Sequence, residues 1–109
     1  MSSTLEERER GFERKFAHDA EMAFKAEARR NRLLGEWAAE KMGITGEDIQ
    51  AYAKEVIASD FEEPGDEDVY RKVSGDFETR GVTVAEAEIR DKMATLLAVA
   101  KAQLMEEHD

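Results

Sequence analysis

The sequence predicts an all-α protein, a four-helix bundle preceded by a mobile N-terminal segment, and three observations carry that reading. Apolar residues recur at three- and four-residue intervals in four separate stretches, the period of a helix with one buried face. Glycine is sparse inside those stretches, and the single proline, Pro64, falls between two of them. No stretch alternates apolar and polar residues between hairpin dipeptides such as Asn-Gly, so strands have no local support.

The first helix is expected to start at Thr4, where Thr4-Leu5-Glu6-Glu7 has the form of a capping box, and to run as far as Met42. Phe12, Phe16, Ala20, Ala23, Ala26, Leu33, Leu34, Trp37 and Ala38 drift along one side of it. Before Phe12 the only large apolar residue is Leu5, and Gly11 costs about 1 kcal/mol relative to alanine. A helix with no face to bury is marginal in water, so residues 1 to about 17 are expected to fray in the free chain.

The second helix is predicted from Thr45 as N-cap, Asp48 three residues on, and Ile44 with Ile49 as a hydrophobic staple. Its stripe is Ile49, Tyr52, Ala53, Val56, Ile57 and Phe61, closed by Pro64-Gly65. A shorter third helix is capped by Asp66, carries Val69, Tyr70, Val73 and Phe77, and stops near Gly81. The fourth opens with a second capping box, Thr83 with Glu86, and places Ile89, Met93, Leu96, Leu97, Ala100 and Leu104 on one side. Four such helices joined by short turns cover one another's stripes most economically as an antiparallel bundle.

Charge divides the chain unevenly. The 109 residues sum to −10, yet residues 1 to 32 hold eight bases and seven acids, a net of +1, leaving −11 on the remaining 77. An acidic body opposes binding to nucleic acid or to an anionic bilayer, both of which reward lysine and arginine. No run reaches the roughly 18 apolar residues needed to span a membrane, and the start has no apolar stretch of a secretory signal, so a soluble intracellular protein is expected. The lack of cysteine excludes thiolate metal sites and cysteine nucleophiles.

Catalysis finds little to work with. His18 and His108 are the two histidines, and neither has a local partner at metal-ligand spacing. Neither a glycine-rich phosphate loop nor a nucleophile paired with a base can be assembled, so no cofactor or enzymatic activity is expected. Two features look like binding chemistry. Phe12 and Phe16, one helical turn apart beside the poorly packed start, suit aromatic anchors of an amphipathic helix laid in a partner's groove. The Arg29-Arg30-Asn31-Arg32 cluster suits either pairing with the chain's own acidic helices or a nucleotide phosphate, because guanidinium groups hold oxyanions through two parallel hydrogen bonds.

The run from Phe12 through Lys15-Phe16-Ala17-His18-Asp19 to Arg29-Arg30-Asn31-Arg32-Leu33-Leu34-Gly35-Glu36-Trp37 resembles the zeta subunit family, the ATPase inhibitor of the alphaproteobacterial F-type ATP synthase. The likeness continues through Gly46-Glu47-Asp48, Tyr52-Ala53-Lys54-Glu55-Val56 and Asp60-Phe61-Glu62-Glu63 to Ala100-Lys101-Ala102-Gln103. The resemblance implies a four-helix bundle at residues 20–109 and, at residues 1–19, a mobile inhibitory segment that becomes helical on binding. It implies insertion of that segment at a catalytic alpha/beta interface, close to the rotor gamma subunit, with hydrolysis blocked. Leu5, Arg8, Arg10, Phe12, Arg14, Lys15, Phe16 and His18 are then the expected partner-binding residues, and the setting is cytoplasmic, peripheral to the inner membrane through the synthase. The alternative is a small regulatory module that binds ATP or ADP through Arg29, Arg30 or Arg32.

Overall fold

In the computed structural model, backbone is described for residues 2–60 and 65–108, and side chains for residues 20–60 and 65–107. The described elements are four α-helices: α1 (Ser2–Lys41), α2 (Asp48–Ser59), α3 (Glu67–Thr79) and α4 (Glu86–His108). Among the described residues there is no strand, and no helix is long and apolar enough to cross a membrane.

Cross-helix pairs fix the directions. Asn31 meets Asp60 and Glu36 meets Gln50, so α1 and α2 run antiparallel. Lys72 meets Glu55 while Asp76 meets Tyr52, which reverses α3 against α2. Arg90 on Glu67 and Tyr70 on Glu86 reverse α4 against α3. Arg29 on Glu107 and Lys41 on Glu88 close the ring, with α4 antiparallel to the second half of α1. The result is an up-down-up-down four-helix bundle.

The core is built from the predicted stripes. Leu34, Ala38 and Ala39 of α1 pack with Tyr52 and Val56 of α2, Val69, Val73 and Phe77 of α3, and Ile89 and Met93 of α4. Trp37, half-buried at the edge of this cluster, sets its ring against that of Phe77 at 5.8 Å and 89°. That edge-to-face arrangement brings a ring's positive rim to the other's negative face. Ala26, Ala100 and Leu104 extend the buried surface toward the far end of α4.

Two helix ends show how glycine stops a helix. Gly43 (φ +77°) follows α1 and Gly81 (φ +72°) follows α3. In each case the next amide reaches back across the turn, Ile44 to Ala39 at 2.9 Å and Val82 to Phe77 at 2.8 Å. The left-handed residue lets otherwise orphaned carbonyls find donors.

Three local expectations need correction. Thr45 does not cap α2: Gly46, at φ +64°, turns the chain after it, and the helix begins at Asp48 with Glu47 at the cap position and no side-chain cap. The Thr83–Glu86 capping box is not formed, because α4 begins at Glu86, and the Glu86 carboxylate accepts from Arg90 and Tyr70 instead. Ala20 and Ala23 are exposed rather than buried. Arg29 already faces Glu107 beside the end of α4, and Ala23 stands about 9 Å further along α1 at 1.5 Å per residue. Asp66 does occupy the cap position of α3, though its side chain makes no cap bond there. The Thr4–Glu7 box, the fraying of residues 1 to 17, and Phe61 to Pro64 lie outside the described side chains.

Candidate partner-binding surface

Among the described residues no group of histidines and carboxylates could hold a metal ion. Every partner-binding side chain expected from the sequence, Leu5, Arg8, Arg10, Phe12, Arg14, Lys15, Phe16 and His18, precedes the described side chains. What the structure defines is how the second half of α1 is held, and that begins with the three arginines.

Adjacent residues on a helix point about 100° apart, so a basic cluster in sequence is distributed around the axis. Arg29 faces α4, where its two terminal nitrogens donate to the two carboxylate oxygens of Glu107 at 2.6 and 2.9 Å. Gln103 accepts a longer bond at 3.4 Å. The Arg29 guanidinium holds the Glu107 carboxyl below the usual carboxylate range through this hydrogen-bonded contact, and its own pKa rises in return.

Arg30 turns inward and is 1% exposed. Its Nε donates to Asn31 Oδ1 at 2.7 Å and its Nη2 to Asp66 Oδ1 at 2.8 Å, while Asn31 Nδ2 donates to Asp60 Oδ2 at 3.0 Å. The Arg30–Asn31 pair thereby grips both sides of the connection between α2 and α3. No buried side-chain polar atom among the described residues lacks a partner. Arg32 points to solvent, with its Nε 3.7 Å from Glu36. The structure does not bring the three guanidinium groups to one point.

A second polar network braces α2 on α3. The Tyr52 hydroxyl donates to Asp76 Oδ2 at 2.8 Å, and Lys72 bridges Asp76 at 2.9 Å and Glu55 at 3.2 Å. Burial, then the hydrogen bond to Asp76, pushes the Tyr52 phenol far above its ordinary range.

Sequence reasoning missed one surface. Where α1 leaves the bundle, Met22, Phe24 and Ala28 of α1 form a groove of about 530 Å³ with Ile57 of α2 and Leu104 of α4. Phe24 is 60% exposed there. The signal was present, since Phe24 is a large apolar residue that falls outside the stripe of alanines and leucines buried in the bundle.

The chain's likeness to known proteins bears on all of this. The family model of ATPase inhibitor subunit zeta matches residues 1–103. The chain belongs to the ATPase inhibitor subunit zeta family. That match takes in the first half of α1 and the zeta-type bundle as far as residue 103 in α4. A solution NMR structure is similar at 57% identity and a TM-score of 0.71, covering 79% of this chain and 98% of that one. No curated protein matches. The family is one of inhibitor subunits.

Proposed function

We propose that this zeta-family chain inhibits ATP hydrolysis by the catalytic head of an F-type ATP synthase, inserting residues 1–19 as a helix at a catalytic alpha/beta interface and blocking rotation of gamma. The observation that carries the reading is the family match across residues 1–103, which includes the whole proposed inhibitory segment. Support comes from the bundle's core: among the described residues the buried apolar side chains run from Ala26 to Leu104, all within the segment assigned to the bundle.

In this mechanism Phe12 and Phe16 bury in an apolar cleft while Arg8, Arg10, Arg14 and Lys15 meet acidic groups at its rim, with Leu5 and His18 at the two ends of the contact. Ordering about 15 residues costs on the order of 15–30 kcal/mol of backbone entropy at roughly 1–2 kcal/mol each, so the interface has to be large. A bundle that already holds the second half of α1 in helical form reduces that cost, because elongating a helix is far easier than nucleating one. The site of action is the cytoplasmic face of the membrane, where such a head stands.

The test is the ATP hydrolysis rate of the cognate synthase head with full-length protein and with a chain lacking residues 1–19, both checked for helicity by circular dichroism. Inhibition by the full-length chain alone is the expected result. Equal inhibition by both would move the activity into the bundle, and no inhibition by either would remove the function. The engagement of Arg29 by Glu107 and of Arg30 by Asp66 favours this reading over a nucleotide site at the same residues.

A further inference from the structure

One turn of α1 is tied to all three of the other helices, and the ties fall at the same end of the bundle. Arg29 reaches Glu107 at 2.6 Å near the end of α4, Arg30 reaches Asp66 at 2.8 Å just before α3, and Asn31 reaches Asp60 at 3.0 Å just after α2. The first half of α1 departs from this end. Along the described part of α1, Ala26 is the first buried residue, and Arg30 and Asn31, each 1% exposed, are the next.

Ahead of Ala26 the helix has little to hold it. Of residues 20–25, Met22 is half-buried and the others are exposed. Lys25 pairs with Glu21 at 3.2 Å, but both side chains stand in solvent, where such a pair contributes little. A helix without a packed face is marginal, so the first firmly anchored turn decides where helix begins in the free chain. Ala26 supplies one methyl group to that anchor. Arg30 and Asn31 supply buried hydrogen bonds, one of them to a charged acceptor at 2.8 Å, and these are stronger away from water.

We infer that Arg30 and Asn31 are positioning residues for inhibition: their ties to Asp66 and Asp60 keep the departing turn of α1 helical in the free chain, so that residues 1–19 meet the synthase head with a formed helix to grow from. The inference rests on the inhibitory reading above. Growth from an existing turn avoids the nucleation penalty, roughly a thousandfold, that a detached segment faces. A chain whose anchored turn is open part of the time binds with its affinity reduced by the fraction in which the turn is closed. Both side chains are buried, so they act through the backbone they hold.

The test removes the acceptors and leaves α1 unaltered, so its intrinsic helicity is unchanged: Asp60→Ala with Asp66→Ala in the full chain. Arg30 then keeps only Asn31, and its stranded charge drives the turn into water. Amide hydrogen exchange of the free chain reads the turn directly. Amides of residues 26–31 are expected to exchange almost as fast as in an unstructured chain, while those of residues 36–41 and 89–97 stay protected. The half-inhibitory concentration against the cognate head is expected to rise about tenfold, as for a turn closed about one-tenth of the time, with full inhibition recovered at saturation because binding closes it. Asp66→Asn, at a side chain 51% exposed, keeps an acceptor oxygen and loses the charge. It should give the same pattern with a rise of about threefold, and it carries the test if the double variant does not fold.

Residues 26–31 that stay protected in the folded variants overturn the inference, and so does lost protection with an unchanged half-inhibitory concentration. Acceleration of every core amide by a common factor, with inhibition unchanged, assigns the ties to the stability of the bundle alone and overturns it as well. The parent chain tests the underlying reading separately. If the parent does not inhibit, the inhibitory function falls and takes this consequence with it, whatever the exchange rates of the variants.

Discussion

Gly35 sits inside α1, six residues before its end, where glycine costs a helix about 1 kcal/mol relative to alanine, so Gly35→Ala ought to stabilise the protein on propensity alone. The packing predicts the opposite. A Cβ at this position would lie 2.6 Å from the Cα of Ala53, 3.2 Å from its Cβ and 3.3 Å from Val56 Cγ2. Carbon pairs prefer about 3.5–4.0 Å, so α1 and α2 would have to separate by about 1 Å along a seam where Ala53 and Val56 are fully buried. The closest obstacle is backbone, which no rotamer change can relieve.

Overpacking of this kind costs about 1–3 kcal/mol. The 2.6 Å approach to backbone puts this site in the upper part of that range, so about 2–3 kcal/mol less a propensity gain of up to about 1 kcal/mol leaves an expected net loss of about 1–2 kcal/mol, or roughly 5–15 °C in Tm for a bundle of this size. Gly75 supplies the control. It lies inside α3 with nothing within 4 Å of its would-be Cβ, so Gly75→Ala should gain about 0.5–1 kcal/mol. Urea unfolding followed by far-ultraviolet circular dichroism reads both. If Gly35→Ala leaves the midpoint unmoved or raises it while Gly75→Ala raises it, the close approach of α1 and α2 does not limit the fold and the reasoning fails.

Two further perturbations probe the polar contacts. Asp66→Ala strands the Arg30 guanidinium, 1% exposed, with Asn31 as its remaining partner, and should cost about 2–4 kcal/mol in the same unfolding assay; a loss below that of a typical surface substitution would show that the pair does not anchor the connection between α2 and α3. For Glu107, the folded carboxyl is held below 4.5 by Arg29, so its stabilising contribution is present above that pH and is lost as pH falls through the lowered folded value. The stability gap between parent and Glu107→Gln should thus be open at pH 7 and closed near pH 2; a gap of equal size at both would assign the contact to packing rather than charge.

What the sequence made legible is burial, and what it hid is partnership at a distance. Tyr52, Ala53 and Val56, or Ile89, Met93, Ala100 and Leu104, are found by counting threes and fours because the period of the helix decides which side chains share a face. Gly81 was readable as a stop for the same local reason. The caps were misplaced because a hydroxyl three residues from a carboxylate is only an offer of a capping box. Gly46 in a left-handed turn set the start of α2, and Arg90 with Tyr70 engaged Glu86. Gly35 reads as a defect until the backbone of α2 is laid across it. Asp66 reads as a cap until Arg30, 36 residues away, claims its carboxylate.

The arginine cluster shows the same limit in a form that bears on function. Four consecutive letters, Arg-Arg-Asn-Arg, look like one cationic site, but on a helix Arg29 and Arg32 lie within about 60° of each other whereas Arg30 is about 100° from Arg29 in the other sense. Arg30 and Asn31 therefore fall on the side facing α2 and α3 and brace the bundle, while Arg29 and Arg32 share the side that edges the groove beside Phe24. Arg29 is tied to Glu107, and Arg32 pairs at 3.7 Å with Glu36 one turn along its own helix, so each of the three cations has an acidic partner within the chain. Helical geometry has distributed one run of sequence over three separate contacts within a single turn of α1.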